Sequence, residues 1–288
     1  MTTNAKIQLP VEVLGHILAC LADDETSLRS AILVNRDWAE EGTSVLWRRP
    51  SVSSLAAICE DRRQIYAGKI HELDFAADED GLWHNGFTDL NFPRLKGISV
   101  DFYEPLDGSG LRLGQYLQPS LEVFHFYGGK LAEDVLGLLE SQCPRLHELI
   151  LDNHLEGVDS ERVLAFLKHS RLLKSVDLGT RIEDIVSDEI VRYLANNDEL
   201  DTMILTKPIT NELMSKLAYQ LPCPWKHIQR LELRIATKAA TALVSTAQSH
   251  TTLELDIQDS EVGILPAVCT LVRLRRLKLT FRHERELP

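Results

Sequence analysis

Between Ile70 and Phe281 a short apolar pattern returns nine times, and no other feature restricts the fold as much. The pattern is L-x-x-L-x-L, with any apolar residue allowed at the marked positions. It fits at Ile70/Leu73/Phe75, Leu95/Ile98/Val100, Leu121/Phe124/Phe126, Leu146/Leu149/Leu151 and Leu173/Val176/Leu178. It fits again at Leu200/Met203/Leu205, Ile228/Leu231/Leu233 and Leu274/Leu277/Leu279, and a degenerate copy begins at Thr252 with Leu255 and Ile257. Successive starts lie 22 to 28 residues apart. A unit this short cannot bury its own apolar face, so the units must stack. Alternation inside each copy predicts a strand. The segments 132–142, 160–168, 187–195, 211–220, 239–248 and 261–271 carry apolar residues at i, i+3 and i+4, which predicts helices. Asp159 or Ser160, Ser187 and Thr210 are placed to cap three of them. One strand and one helix per unit give an α/β solenoid, curved because strands are narrower than helices, with a parallel inner sheet.

The pattern resembles the leucine-rich repeat over about residues 70–281. That family carries Asn or Cys three positions after the last leucine-type residue, where the side chain satisfies turn backbone. The corresponding residues here are Asp78, Tyr103, Gly129, His154, Arg181, Pro208, Ala236, Ser260 and Arg282. None is Asn or Cys, so the expectation is about nine irregular repeats with variable loops, their turns closed by other groups. Residues 76–92 and 104–114 are loop-rich and lack a long helix. The copy at Leu274 has no helix after it. Either residues 282–288 fold over that edge, or the chain is a shortened form of a longer array.

Residues 9–50 stand outside the repeat. Val13, Leu14, Ile17, Leu18 and Leu21 fall on one side of a helix opened by Pro10, with Glu12 in its first turn. The run Asp23 to Ser27 offers caps for a second helix bearing Leu28, Ala31, Ile32 and Val34. Asn35 can cap a third, with Trp38, Val45, Leu46 and Trp47, which Pro50 ends. Three helices in about forty residues close only a small core, so part of their apolar surface is expected to meet a partner. Residues 51–69 read as a connecting helix packed through Leu55, Ile58 and Ile65 and ended at Gly68.

The spacing Leu9-Pro10, Glu12-Val13-Leu14, Ile17-Leu18, Leu21, Leu28, Val34, Arg36, Trp38 and Leu46-Trp47 resembles an F-box of the style common in fungal proteins. The cysteine often found before the motif's arginine is Asn35 here. The resemblance divides the chain into an F-box at 1–50, the connector at 51–69 and the solenoid at 70–288. It implies a Skp-type adaptor as partner, through it a cullin, and a role as the non-catalytic substrate receptor of that ubiquitin ligase. The adaptor-contacting set it implies is Leu9, Pro10, Val13, Leu14, Ile17, Leu18, Leu21, Leu28, Val34, Trp38, Leu46 and Trp47. Within it, Leu9, Pro10, Leu14 and Leu18 are the expected direct contacts. Val13, Ile17, Leu21, Leu28, Val34 and Trp38 can equally form the core of the unit, and Trp38, Leu46 and Trp47 can be shared with the connector. The alternative role is a protein-binding scaffold that sequesters a partner without ubiquitination.

Composition narrows the classes. The 288 residues carry a net charge of −12, which argues against general nucleic-acid binding. Residues 51–200 hold 27 acids and 14 bases, whereas 201–288 hold 9 acids and 12 bases. No apolar run of membrane-spanning length and no signal-peptide core is present. The five scattered cysteines read as reduced thiols of a cytoplasmic or nuclear protein.

No catalytic or cofactor constellation emerges. Gly108, Gly110 and Gly114 miss the dinucleotide spacing by one residue, and Gly128-Gly129-Lys130 lacks the rest of a phosphate loop. Asp78-Glu79-Asp80 can attract a cation but reads first as a solvated loop. No metal, cofactor or enzyme activity is expected. Binding is expected on the outward strand positions, which run from acidic (Glu72, Asp74, Asp101) through His125, Tyr127, Glu148, Ile150, Asp152 and Asp177. Thr202, Ile204 and Thr206 follow, and then a basic end at Arg230, Glu232, Arg234, Arg276 and Lys278. Tyr127, Glu148, Ile150, Asp152, Asp177, Arg230 and Arg234 form the expected target site, with Tyr127 and Ile150 at its centre.

Overall fold

A computed structural model describes residues 9–76, 80–101, 112–131, 134–221, 223–246, 250–258 and 264–281. The chain opens with three helices, α1 (Val11–Ala19), α2 (Glu25–Ile32) and α3 (Arg36–Leu46). Asp24 accepts the Ser27 amide and Asn35 accepts the Trp38 amide, so two expected caps start α2 and α3. Both α1 and α2 pack on α3. Their core holds Leu14, Leu18, Leu28 and Ala31, with Leu21, Ile32, Trp38, Val45 and Leu46 around it. Gly42 lets α2 approach: a Cβ there would stand 2.6 Å from Ile32 Cγ1.

The connector is two helices rather than one, α4 (Val52–Ala56) and α5 (Glu60–Ala67). Arg63 explains the break. Its guanidinium donates to the carbonyls of Ala56 and Ile58 at 2.9 Å each, and so satisfies the C-terminal end of α4. Leu55 is buried as expected, whereas Ile65 is exposed.

Nine strands then form one parallel sheet in chain order: β1 (Glu72–Phe75), β2 (Gly97–Val100), β3 (Val123–Phe126), β4 (Glu148–Leu151), β5 (Ser175–Leu178), β6 (Thr202–Ile209), β7 (Arg230–Ile235), β8 (Thr252–Ile257) and β9 (Arg276–Phe281). Each strand pairs with the next, with one register shift between Leu205 and Ile209 where β6 meets β7, so the repeat of the sequence becomes a repeat in space. The intervening helices are α6 (Asp80–His84), α7 (Val135–Gln142), α8 (Ser160–His169), α9 (Asp188–Ala195), α10 (Asn211–Gln220), α11 (Thr237–Thr246) and α12 (Ile264–Val268). Asp159, Ser187 and Thr210 cap α8, α9 and α10. The core lies between sheet and helices and runs without a gap from Val52 to Leu271.

The degenerate repeat starts earlier than the leucine spacing indicated. Leu253 pairs with Leu231 and Leu277, and Thr251 with its neighbours sits opposite Gln229 and Arg275. The first core position of that unit is therefore His250, 22 residues after Ile228 and 24 before Leu274. It is buried, with Nδ1 2.6 Å from the Ile228 carbonyl, so a histidine anchored by backbone replaces a leucine. The turns, lacking the family's asparagine, close elsewhere. Asn153, one residue before the expected position, donates to the Gly129 carbonyl, and Asn211 accepts the Ala239 amide at 2.9 Å. The loop-rich first units are filled by aromatic rings: Phe87, Phe92 and Tyr116 are buried with Phe75, Phe124 and Phe126.

Every repeat is joined to the one before by one backbone carbonyl that accepts two successive amides. His71 serves Lys96 and Gly97, Lys96 serves Glu122 and Val123, and Glu122 serves His147 and Glu148. The series begins before β1. Arg48, just after α3, accepts from His71 and Glu72 at 2.9 and 3.1 Å. Trp47 stands where the other units place their first core residue. Its ring lies 4.4 Å from that of Tyr66, and it packs on the solenoid core. The last turn of the helical unit is thus the solenoid's first rung.

Candidate functional site

Two surfaces carry the residues singled out by the sequence, and the chain geometry sets each. On the helical unit, the residues at i, i+1, i+4 and i+5 of α1 divide into two ridges. Leu14 and Leu18, 2% and 0% exposed, face α3. Val13 and Ile17, 43% and 41% exposed, face solvent with Leu9 and Pro10 at the same end of the helix. The expectation is reversed at four positions: Leu14 and Leu18 hold the unit together and Val13 and Ile17 are free for contact, whereas Leu28 is core and Leu9 and Pro10 are exposed as expected. The reason is phase. One helical turn separates 14 from 18 and 13 from 17, and only one pair can look inward. Val34, 61% exposed, lies on the surface, beside Leu33 at 85%. Leu33 and Val11 were missed by pattern reading, although an apolar pair directly before the cap Asn35 is a signal that could have found Leu33. Leu21, Trp38 and Leu46 are half-buried against the small core, and Trp47 belongs to the solenoid.

The second surface is the outward face of the sheet. The central outward position of each strand gives the row Asp74, Ser99, His125, Ile150, Asp177, Ile204, Glu232, Glu254 and Lys278 across the pairings. Beside it lie Asp101, Tyr127, Asp152, Thr206, Arg234 and Asp256. Tyr127 packs edge-on against His125 at 6.0 Å, and His125 Nε2 meets Glu148 at 2.7 Å. The Tyr127 hydroxyl is held above its ordinary pKa by burial first, then by Asp177, Glu148, Asp101 and Asp152. Asp152 folds over Gly179, where a Cβ would collide with its carboxylate, and accepts the Arg181 amide at 3.2 Å. Tyr127, Glu148, Ile150, Asp152 and Asp177 therefore come together on adjacent strands, as the spacing required.

The basic end is corrected. With β8 in its observed register, Glu254 and Asp256 also face outward, between Arg234 and Lys278. Arg230 pairs with Glu232, Arg234 with Glu183 at 3.5 Å and Lys278 with Glu254 at 3.1 Å. These ion pairs offset the positive charge, so the face runs from acidic to nearly balanced. A hollow of about 160 Å³ opens there, lined by Thr180, Ile204, Thr206, Glu232, Arg234 and Lys278 among others.

Among the described residues no set of three His, Cys, Asp or Glu side chains is placed to hold a metal. Of the acidic loop, Asp78 and Glu79 lie outside the described residues, and Asp80 accepts the Ala76 amide at 3.1 Å. Residues 108–110 and 282–288 also lie outside the description. Among the described residues no helix is long and apolar enough to cross a membrane.

Residues 7–53 match the F-box-like family, a span that covers α1 to α3 and the Arg48 rung. The chain thus carries an F-box-like domain followed by a parallel-sheet solenoid. No curated protein matches the chain. Among solved structures, a chain of the crystal structure of the TLR13-ssRNA13 complex is similar at 16% identity and a TM-score of 0.42. That likeness covers 76% of this chain and 37% of the other. The strand order and register, not this likeness, define the solenoid here.

Proposed function

We propose that the chain is the substrate-recognition subunit of a Skp–cullin–F-box ubiquitin ligase, acting in the cytoplasm or nucleus. The observation that carries this reading is the exposed row Leu9, Val13 and Ile17 along α1, with Val34, on a domain whose own core is closed without them. An apolar row on a small helical domain fits burial in a partner's groove. The concave sheet face, with Tyr127 and Ile150, is the surface for a target protein. The mechanism is positional: the F-box domain holds the chain on the ligase, the sheet holds the target, and proximity raises the effective concentration of target lysines near the conjugating enzyme. The chain supplies no catalytic group and needs no cofactor.

The rung at Arg48 adds a geometric argument. Continuous backbone bonds from α3 into β1 fix the sheet relative to the adaptor-facing row, as a receptor that aims its target requires. The experiment is reconstitution: immobilised cullin should retain the purified chain only when the adaptor is present. Retention without adaptor, or none with it, contradicts the reading.

A further inference from the structure

Most half-buried carboxylates of the sheet face have a partner; Asp74 is exposed, and Asp101 and Asp256 take part in interactions of their own. Glu72 pairs with Arg49 at 2.5 Å, Glu148 with His125, Glu232 with Arg230 and Glu254 with Lys278. Asp152 accepts from Arg181 and Thr180. Asp177 differs. It is half-buried at the centre of the sheet, flanked in register by Ile150 on β4 and Ile204 on β6. Among the described residues no hydrogen bond or ion pair reaches its carboxylate. The nearby charges are mostly acids, Asp152 and Glu232, with Arg230 opposing them. A carboxylate wedged between two isoleucines without a partner weakens the fold it sits in.

We propose that this point of the concave face receives the lysine or arginine side chain of an extended segment of the target protein, its cation on Asp177 and its apolar stem between Ile150 and Ile204. The chemistry is complementary at each part of such a side chain. The isoleucines cover the methylenes, as long cationic side chains require. Asp177 neutralises the head, and Tyr127 presents an aromatic ring whose hydroxyl lies in the field of the same acids. The hollow beside Ile204 gives the segment room to continue across β7 and β8. A nucleic acid would bring phosphates onto Asp101, Asp152 and Asp177 and is disfavoured. A metal ion would need converging oxygens, which Asp152 cannot supply while it is bound to the Arg181 turn.

The inference rests on the concave face being the target surface, and its test separates the two. The full-length chain is titrated, with fluorescence anisotropy as readout, against a labelled nonapeptide of serine and alanine with one central lysine, and against the same peptide with norleucine. The lysine peptide is expected to bind at least tenfold more tightly. Asp177→Asn should erase the preference, and Asp177→Lys should transfer it to a peptide with central glutamate. Equal affinities, no binding of either peptide, or an unchanged preference in Asp177→Asn overturns the inference. Adaptor titration with the same variants should match the native chain. Intact adaptor binding without a lysine preference removes this inference and leaves the receptor reading standing.

Discussion

The carbonyl oxygen of Arg48 accepts the amide of Glu72 at 3.1 Å, and the Arg49 guanidinium binds the same residue's carboxylate at 2.5 Å. Two consecutive residues of the F-box-like domain thus clamp the first strand of the solenoid by backbone and by side chain. The same carbonyl geometry recurs at every later repeat, so the two parts of the chain share one hydrogen-bond ladder.

The first prediction concerns Trp47. Its ring lies on Tyr66 and on the solenoid core, so Trp47→Ala should cost about 3 kcal/mol, in the range of large aromatic truncations. Because the ladder is continuous, urea unfolding should show one shifted transition. Removing residues 1–50 should likewise destabilise 51–288, which then lack their first rung. A solenoid that melts unchanged without those residues would refute the shared ladder.

The second concerns the small core. Leu14→Ala and Leu18→Ala remove fully buried side chains from a cluster of four buried residues. Each should cost about 2–5 kcal/mol and lower the helical signal of the unit. A loss of adaptor binding in these variants therefore reports unfolding and not contact.

Much of this architecture was legible in the sequence, and the failures have physical causes. The strands were found because alternation is imposed by the pleat, and Asp159, Ser187 and Thr210 because their oxygens fit first-turn amides. His250 was missed because a buried histidine bonded to Ile228 does a leucine's work without a leucine's signature. That error also hid Glu254 and Asp256 and made the far end of the face look basic. On α1 the apolar positions were right, but the phase that turns Leu14 inward and Val13 outward is set by α3, which no local spacing encodes. The break at Ala57 depends on Arg63 reaching back, a contact invisible in a helical pattern.

The third prediction is a pH dependence. His84 is buried, with Nδ1 3.2 Å from the Tyr116 hydroxyl, and burial lowers its pKa from 6.5 to about 4. The folded state favours the neutral ring. Its stabilising effect is therefore complete above pH 6.5 and is lost as pH falls from there towards 4. The gap corresponds to about 3 kcal/mol. Thermal melts between pH 7 and 4 should show a falling midpoint, and His84→Gln should flatten that slope.

The fourth has the opposite sign. Burial, then Asp152 and Glu232, raise the Asp177 carboxyl from 3.8 to about 7. The folded state favours the protonated acid, so this residue costs stability increasingly as pH rises from 4 through 7. Asp177→Asn should therefore stabilise the chain by about 2 kcal/mol at pH 8, with solvent screening on the open face reducing the effect. It should do nothing at pH 3.5. Calorimetry at the two pH values checks both the sign and the difference.

The most direct measurement of the central claim is a calorimetric titration of the full-length chain with a purified Skp-type adaptor, repeated with Val13→Asp and Ile17→Asp together. Both side chains face solvent, so the variant should keep the native circular dichroism and melting point. The account predicts a one-to-one complex for the native chain and at least a hundredfold loss of affinity in the folded variant, as expected for charges placed in a buried contact. No binding by the native chain, or equal binding by the variant, would contradict it.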